Sequence, residues 1–364
     1  MSRTHVCVIG HGTAGRLHER LLSDLGFRVS LVDPVQTATS HRTPVFGGLG
    51  DLPDDPPVDV WSVCSPTAAH LENVAAVLAV DPAARLLVEK PVCRSWETSA
   101  LLSLLARHDR ARLVVMDQYS HAQALALFRS ARQEFAPGHP LRALRVGFGK
   151  DRLADIAAGR FVDRDHGVFG YEWLHMLALV RGLLSSATYD RYLSTEPDSS
   201  SLRVAADPEL VSTAAYETVT VDGTAVELYS TIAGPDTTGQ VPTPPWFVPR
   251  SAEESRQRYV EAVAGPVRFS LHLDPVVLPN GTPLPRNMHL LSAEGPGLRR
   301  EWMIHDSPLE NALRSSIATL LGHPEPAGPD LRGITRIGRL AASSRSTGRE
   351  PLTMSPPATP SARL

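Results

Sequence analysis

Lysine is nearly missing from this chain. Of its 36 Lys and Arg residues only two are lysines, Lys90 and Lys150. The bias itself reads as the codon habit of a GC-rich genome, but it turns each lysine into a tracer for positions where arginine would not serve. A basic excess is missing too: 36 basic against 39 acidic residues leave a net charge of -3, which argues against a nucleic-acid partner. No apolar run reaches the ~18 residues of a membrane span, so no membrane partner is expected. Residues 1–15 lack the charged, apolar and cleavage regions of a signal peptide. Cysteine is scarce: Cys7, Cys64 and Cys93 show no CxxC spacing, so no disulfide framework is expected, and a reduced, cytoplasmic location fits. Cys7 and Cys64 fall in apolar runs and read as small buried hydrophobes. Neither His166 with His175 nor any Cys/His pair makes a metal set, so no metal is expected.

What is present is the composition of a globular enzyme, 42% apolar and 21% charged, at a length that suggests two domains. The first third alternates apolar strands (5–9, 28–32, 58–64, 85–88, 112–116) with helical patterns (14–25, 67–80, 96–108). Strand–helix alternation with continuous apolar strands predicts a parallel, doubly wound α/β sheet covered on both faces. After a helix at 122–134 the strands lengthen and alternate (141–148, 212–221, 225–232, 267–273). Asp222-Gly223 and Asn280-Gly281 are hairpin signals. The expectation is a second, α+β domain with a mainly antiparallel open sheet. The predicted division is 1–122, 123–342 and a polar tail at 343–364. Residues 234–250, rich in Pro, Thr and Gly, read as a long loop or arm.

Gly10-His11-Gly12-Thr13-Ala14-Gly15 matches G-x-G-x-x-G between a strand and a helix. There Gly10 permits the tight turn, Gly12 admits a pyrophosphate to the helix N-terminus, and Gly15 allows close packing. Asp33 ends the next strand at the offset of the acid that binds the adenosine ribose. A carboxylate there repels a 2′-phosphate, so NAD is the expected cofactor, with NADP possible because His41 and Arg42 follow. Two more turns fall at strand C-termini, where open α/β sheets bind ligands: Ser65-Pro66-Thr67, with His70 close behind, and Glu89-Lys90-Pro91. One of the two lysines therefore stands at a strand end.

Together these residues resemble the Gfo/Idh/MocA family, the glucose–fructose oxidoreductase and inositol dehydrogenase group, over nearly the whole chain and most weakly in 185–261. The resemblance implies a Rossmann domain joined to an α/β domain whose open sheet mediates dimers or tetramers. It implies hydride transfer between NAD(P) and a carbinol carbon of a sugar or cyclitol; a nucleotide-linked sugar is included in the expectation, and the GC-rich composition suits a biosynthetic setting. It assigns Lys90 to the reacting oxygen, within a Lys-Pro peptide that is often cis. It assigns Gly10, Gly12, Thr13, Ala14, Gly15, Asp33, Ser65, Pro66, Thr67, His70 and Glu89 to the cofactor. Segments 308–321 and 331–342 fit the layout in which the chain returns to its first domain.

One departure stands out. The family places an Asp four residues before a helix His; here His175 is preceded by Tyr171, with Glu172 next. The acid/base group is thus His175, which titrates near neutrality, with Tyr171 or Glu172 as partner. Gln118, Tyr119 and Lys150 are candidate substrate contacts. Imine or thiazoline reduction, a redox-neutral enzyme holding NAD, and a non-catalytic NAD(P)-binding regulator remain alternatives.

Overall fold

The computed structural model describes residues 3–35, 43–159, 161–234, 239–247, 256–278, 280–322 and 328–347. The first sheet holds six strands: β1 (His5–Ile9), β2 (Arg28–Val32), β3 (Val45–Phe46), β4 (Val60–Val63), β5 (Arg85–Val88) and β6 (Arg112–Val115). Their order is β3-β2-β1-β4-β5-β6 and every pairing is parallel. The two-residue period of a strand splits its apolar residues between faces. Val6 and Val8 bury on one side with Leu22 of α1 (Thr13–Asp24), and Cys7 and Ile9 on the other with Val74 and Val77 of α2 (His70–Val80) and Leu101 of α3 (Thr98–Ala106). Continuous Val, Ile and Leu runs are therefore required, because neither face meets water.

The second sheet follows α4 (Gln123–Phe135). Its strands are β7 (Leu141–Lys150), β8 (Leu202–Asp207), β9 (Val211–Val221), β10 (Thr224–Thr231), β11 (Arg256–Ala264), β12 (Val267–Leu273), β13 (Met288–Gly295) and β14 (Leu298–His305). The order is β14-β13-β12-β11-β7-β10-β9-β8, antiparallel except for the β7–β10 pair. Asp222 (φ 51°) and Gly223 (φ 76°) make the β9–β10 turn, as the Asp-Gly signal requires. Strands β8, β11, β13 and β14 were not legible in the sequence, nor were the helices α5 (Leu153–Ala157) and α7 (Ser186–Ser194).

One face of this sheet packs on α4 and α6 (Leu174–Leu183), around Phe128, Phe148, Phe269 and Leu177. On the opposite face residues of the expected arm lie down: Val241 and Phe247 bury with Tyr229 and Tyr259. Gly147 makes room, since a Cβ there would collide with the Phe247 ring. Part of the face that the resemblance assigns to oligomer contacts is thus covered by the chain itself. Residues 235–238 and 248–250 of the arm, and 348–364 of the expected tail, lie outside the described residues.

The chain then returns to the first sheet. Ala312, Leu313, Ile317 and Leu320 of α8 (Pro308–Gly322) bury beside Val6 and Leu31. In α9 (Arg332–Thr347), Ile334 buries with Val92 and Cys93 while Ile337 and Leu340 join the second core. Helix α9 also carries Arg336, fully buried and paired with the equally buried Glu217 of β9, whose other oxygen accepts the Tyr192 hydroxyl at 2.6 Å. This brings the C-terminal ends of β1, β2, β4 and β5 to face the ends of β7 and β11.

Candidate active site

The glycine turn is sterically exacting. Gly10 has φ 89°, and a Cβ on it would lie 2.7 Å from the Ser65 backbone. A Cβ on Gly15 would collide with the Gly10 carbonyl oxygen. At Gly12 a Cβ would meet nothing within 4 Å, so the space above the turn is open. Gly12 is also the N-cap of α1, and no side chain caps that end. Uncapped N–H groups at a helix N-terminus favour an anion. Asp33 ends β2, where its carboxylate accepts the His11 N–H at 2.6 Å and the Val35 N–H at 2.9 Å. The residues present therefore fit a dinucleotide: open space for a pyrophosphate, uncapped helix N–H donors, and an acid just past the C-terminal end of β2. His41 and Arg42 lie outside the described residues.

This turn lines one wall of a cleft of about 890 Å³. Thr13, Ala14, Ser65, Pro66, Thr67, Glu89 and Lys90 share that wall; Gln118, Lys150, Tyr171, Glu172 and His175 also line the cleft. Lys90 lies just beyond β5 in a cis Lys90-Pro91 peptide. Its ammonium donates to the carbonyl of Tyr171 on the second unit, so the two units meet at the lysine. Phe169–Trp173 is a π-helical turn that runs into α6, and wide turns of this kind recur at functional sites. Burial holds the Lys90 ammonium below its ordinary value of 10.5, against the pull of Glu172 and Glu89.

His175 faces the same space. Burial, then the Lys90 charge, push its pKa down to about 3. The imidazole is therefore neutral at physiological pH, and the sequence expectation of a group titrating near neutrality is corrected. Burial is the first cause and the Lys90 charge the second, and no local sequence pattern displays either. Tyr119 packs edge-on against His175, ring centroids 5.2 Å apart. Tyr119 is only 2% exposed, so in this structure it packs against the imidazole and does not line the cleft. Tyr171 differs from expectation as well: its hydroxyl accepts the Asp163 N–H at 3.0 Å, which ties it to the neighbouring loop. Glu172 is the member of the pair that carries charge into the site. Although burial would raise its pKa, Arg258 and Arg152 hold its carboxyl well below the usual range.

His70 has its two ring nitrogens 2.7 Å from the carbonyl oxygens of Pro91 and Ser65. Its contacts are backbone, and it staples the two strand-end turns together. Lys150 pairs with Asp155.

A buried relay beneath the cleft escaped the sequence. His18 of α1 places Nε2 2.9 Å from Glu89 Oε1, and Nδ1 2.9 Å from Ser62 Oγ and 3.2 Å from Cys64 Sγ. Burial works against its charge, but Cys64 and Glu89 raise its pKa to about 10. Glu89 in turn, despite burial, is lowered by His18 to about 2. Cys64 is thus a hydrogen-bonded neighbour of a charged imidazole as well as a buried residue. The only sequence signal was a histidine one helical turn beyond Gly15. Also missed were Arg152, Arg256 and Arg258, which line the cleft from the second unit.

Residues 4–117 match the Gfo/Idh/MocA model, described as an oxidoreductase family with an NAD-binding Rossmann fold. That segment contains the glycine turn, Asp33 and Glu89-Lys90-Pro91. Residues 4–117 are thus similar to that family's NAD-binding domain. The chain is also 30% identical over 110 residues to the uncharacterized oxidoreductase YrbE of Bacillus subtilis, a match covering 28% of this chain and 32% of that protein. Over the whole chain the likeness is one of fold. KijD10, a 3-ketoreductase from Actinomadura kijaniata solved in an open conformation with TDP-benzene and NADP, superposes with a TM-score of 0.62 at 13% identity, covering 95% of this chain and 98% of that one. GenD2 from gentamicin A biosynthesis, solved with NAD, gives 0.61 at 16% identity, covering 96% and 95%. Among the described residues no helix is long and apolar enough to cross a membrane, and no group of three or more His, Cys, Asp or Glu is placed to hold a metal.

Proposed function

We propose that the chain is an NAD(P)-dependent oxidoreductase acting on an alcohol or ketone of a sugar, cyclitol or nucleotide-linked sugar. Residues 1–122 would hold the dinucleotide and 123–342 the substrate. The observation that carries this is the meeting of Lys90, His175 and the glycine turn in one cleft. When bound, the dinucleotide supplies hydride exchange at its nicotinamide ring; everything else is the work of side chains. An ammonium has three N–H donors. One of Lys90's is given to Tyr171, which fixes the other two toward the cleft and the oxygen of the reacting carbon. There Lys90 stabilises negative charge developing on that oxygen, and its lowered pKa eases proton exchange with it. Neutral His175 gives that oxygen a second polar contact and, held against Tyr119, keeps its orientation. Asp33 favours NAD, since a 2′-phosphate would meet its carboxylate. The ketoreductase named for KijD10 and the biosynthetic role named for GenD2 support a sugar-like substrate and a biosynthetic setting.

The test is isotopic. NADH deuterated at the nicotinamide C4 is incubated with the protein and a panel of keto-sugars and keto-cyclitols, and products are read by mass spectrometry. Deuterium on a product carbinol carbon is the expected outcome. Tight NADH binding with no label in any product would instead support a regulator that binds the cofactor without turnover.

A further inference from the structure

Four cations of the second unit, Lys150, Arg152, Arg256 and Arg258, line the cleft beside the carboxylates of Asp155, Asp163 and Glu172. Lys150 and Arg256 are direct cross-strand partners at the ends of β7 and β11, and Arg258 stands two residues along, opposite Phe148. Lys150 is balanced by Asp155, whereas the Arg256 guanidinium is held below its ordinary pKa by burial and then by Arg258, and like charges at such short range are unfavourable. Arg152 follows β7, is 7% exposed, and pairs with Glu172. Its Nε is buried without a hydrogen-bond partner. Arg258 is stacked over the Tyr119 and Phe148 rings, 5.9 and 5.6 Å from their centroids, and donates to the Asp274 carbonyl at 2.9 Å. No carboxylate among the described residues bonds it, so most of its five N–H donors are left for the cleft.

We propose that Arg152, Arg256, Arg258 and Lys150 form an oxyanion subsite which, given the hydride-transfer function proposed above, holds a carboxylate or phosphoryl group carried by the substrate. An anion there relieves the Arg256–Arg258 repulsion. Planar guanidiniums receive such a group through paired N–H donors. It also explains why arginines occupy inward positions of β11 whose continuation, Val260 and Ala262, is core. The subsite stands on the opposite unit from the glycine turn, so a dinucleotide pyrophosphate and the substrate's anion have separate places. The anion thereby fixes which end of the substrate lies toward Lys90.

The experiment uses the NADH complex, so that the glycine turn is occupied. Inorganic phosphate and acetate are titrated calorimetrically into wild type, R258Q, R258K and K150M, each at saturating NADH. Saturable binding of at least one ion is expected, weakened at least fivefold in R258Q, largely restored in R258K, and weakened at least threefold in K150M. Preference for acetate identifies a carboxylated substrate, and preference for phosphate a phosphorylated one. If neither ion binds saturably, or if R258Q and K150M bind as wild type does, the subsite is refuted. Should R258Q fail to fold, K150M at the strand end decides the matter alone. NADH affinity, read in the same samples by fluorescence, tests the dinucleotide function separately.

Discussion

Replacing Glu89 by Gln probes the buried relay under the active site. The change keeps the shape and leaves an amide oxygen for His18, but removes the negative charge. A carboxyl drawn from 4.5 to about 2 corresponds to roughly 3 kcal/mol at about 1.4 kcal/mol per pH unit. At roughly 2 °C per kcal/mol for a chain of this size, the melting temperature should fall by about 6 °C. The pH dependence carries the sharper information. Glu89 has a depressed pKa, so its contribution is complete above about 4.5 and is lost as pH falls through about 2. His18 has a raised pKa, so its contribution is complete below about 6.5 and is lost as pH rises toward about 10. Both are complete only between about pH 4.5 and 6.5. The difference in melting temperature between wild type and E89Q should be largest there and shrink toward both extremes. Calorimetric melts every half pH unit measure it. A difference that stays constant with pH would mean a neutral imidazole making an ordinary hydrogen bond, and the ion-pair account would be wrong.

Gly15→Ala drives a methyl against the Gly10 carbonyl oxygen, so NADH affinity should fall at least tenfold by fluorescence titration; unchanged affinity would remove the turn from the binding site. Asp33→Asn removes the charge that disfavours a 2′-phosphate, and the ratio of NAD to NADP affinity should drop about tenfold, or ~1.4 kcal/mol; an unchanged ratio would take Asp33 out of the discrimination. Glu217→Gln leaves the fully buried Arg336 without its counter-charge, which should cost about 3–5 kcal/mol in guanidinium denaturation; a loss under about 1 kcal/mol would mean the pair contributes little.

The parts of this molecule that were legible in the sequence are those fixed by local sterics. A glycine turn must be glycine because backbone approaches backbone, and a strand buried on both faces must be apolar throughout. Lys90 was legible because the lysines are so few and its turn so specific. His18 was not: it meets Glu89 across 71 residues, and nothing near it in sequence announces the contact. Strand β11 was hidden by its own pattern, because its inward face changes from Arg256 and Arg258 in the cleft to Val260 and Ala262 in the core. The choice left open between Tyr171 and Glu172 turns on geometry that the sequence does not display. Counting four residues back from His175 assumes α-helical spacing, and the π-helical turn sends the Tyr171 hydroxyl to the Asp163 loop while its carbonyl receives Lys90.

The central claim, that Lys90 acts on the reacting oxygen and is no mere interdomain strut, is met most directly by single-turnover hydride transfer in wild type and K90M, with NADH affinity measured on the same samples. The account predicts a rate lower by roughly 10²–10⁴-fold with NADH affinity within about threefold. Transfer by K90M at the wild-type rate would contradict it.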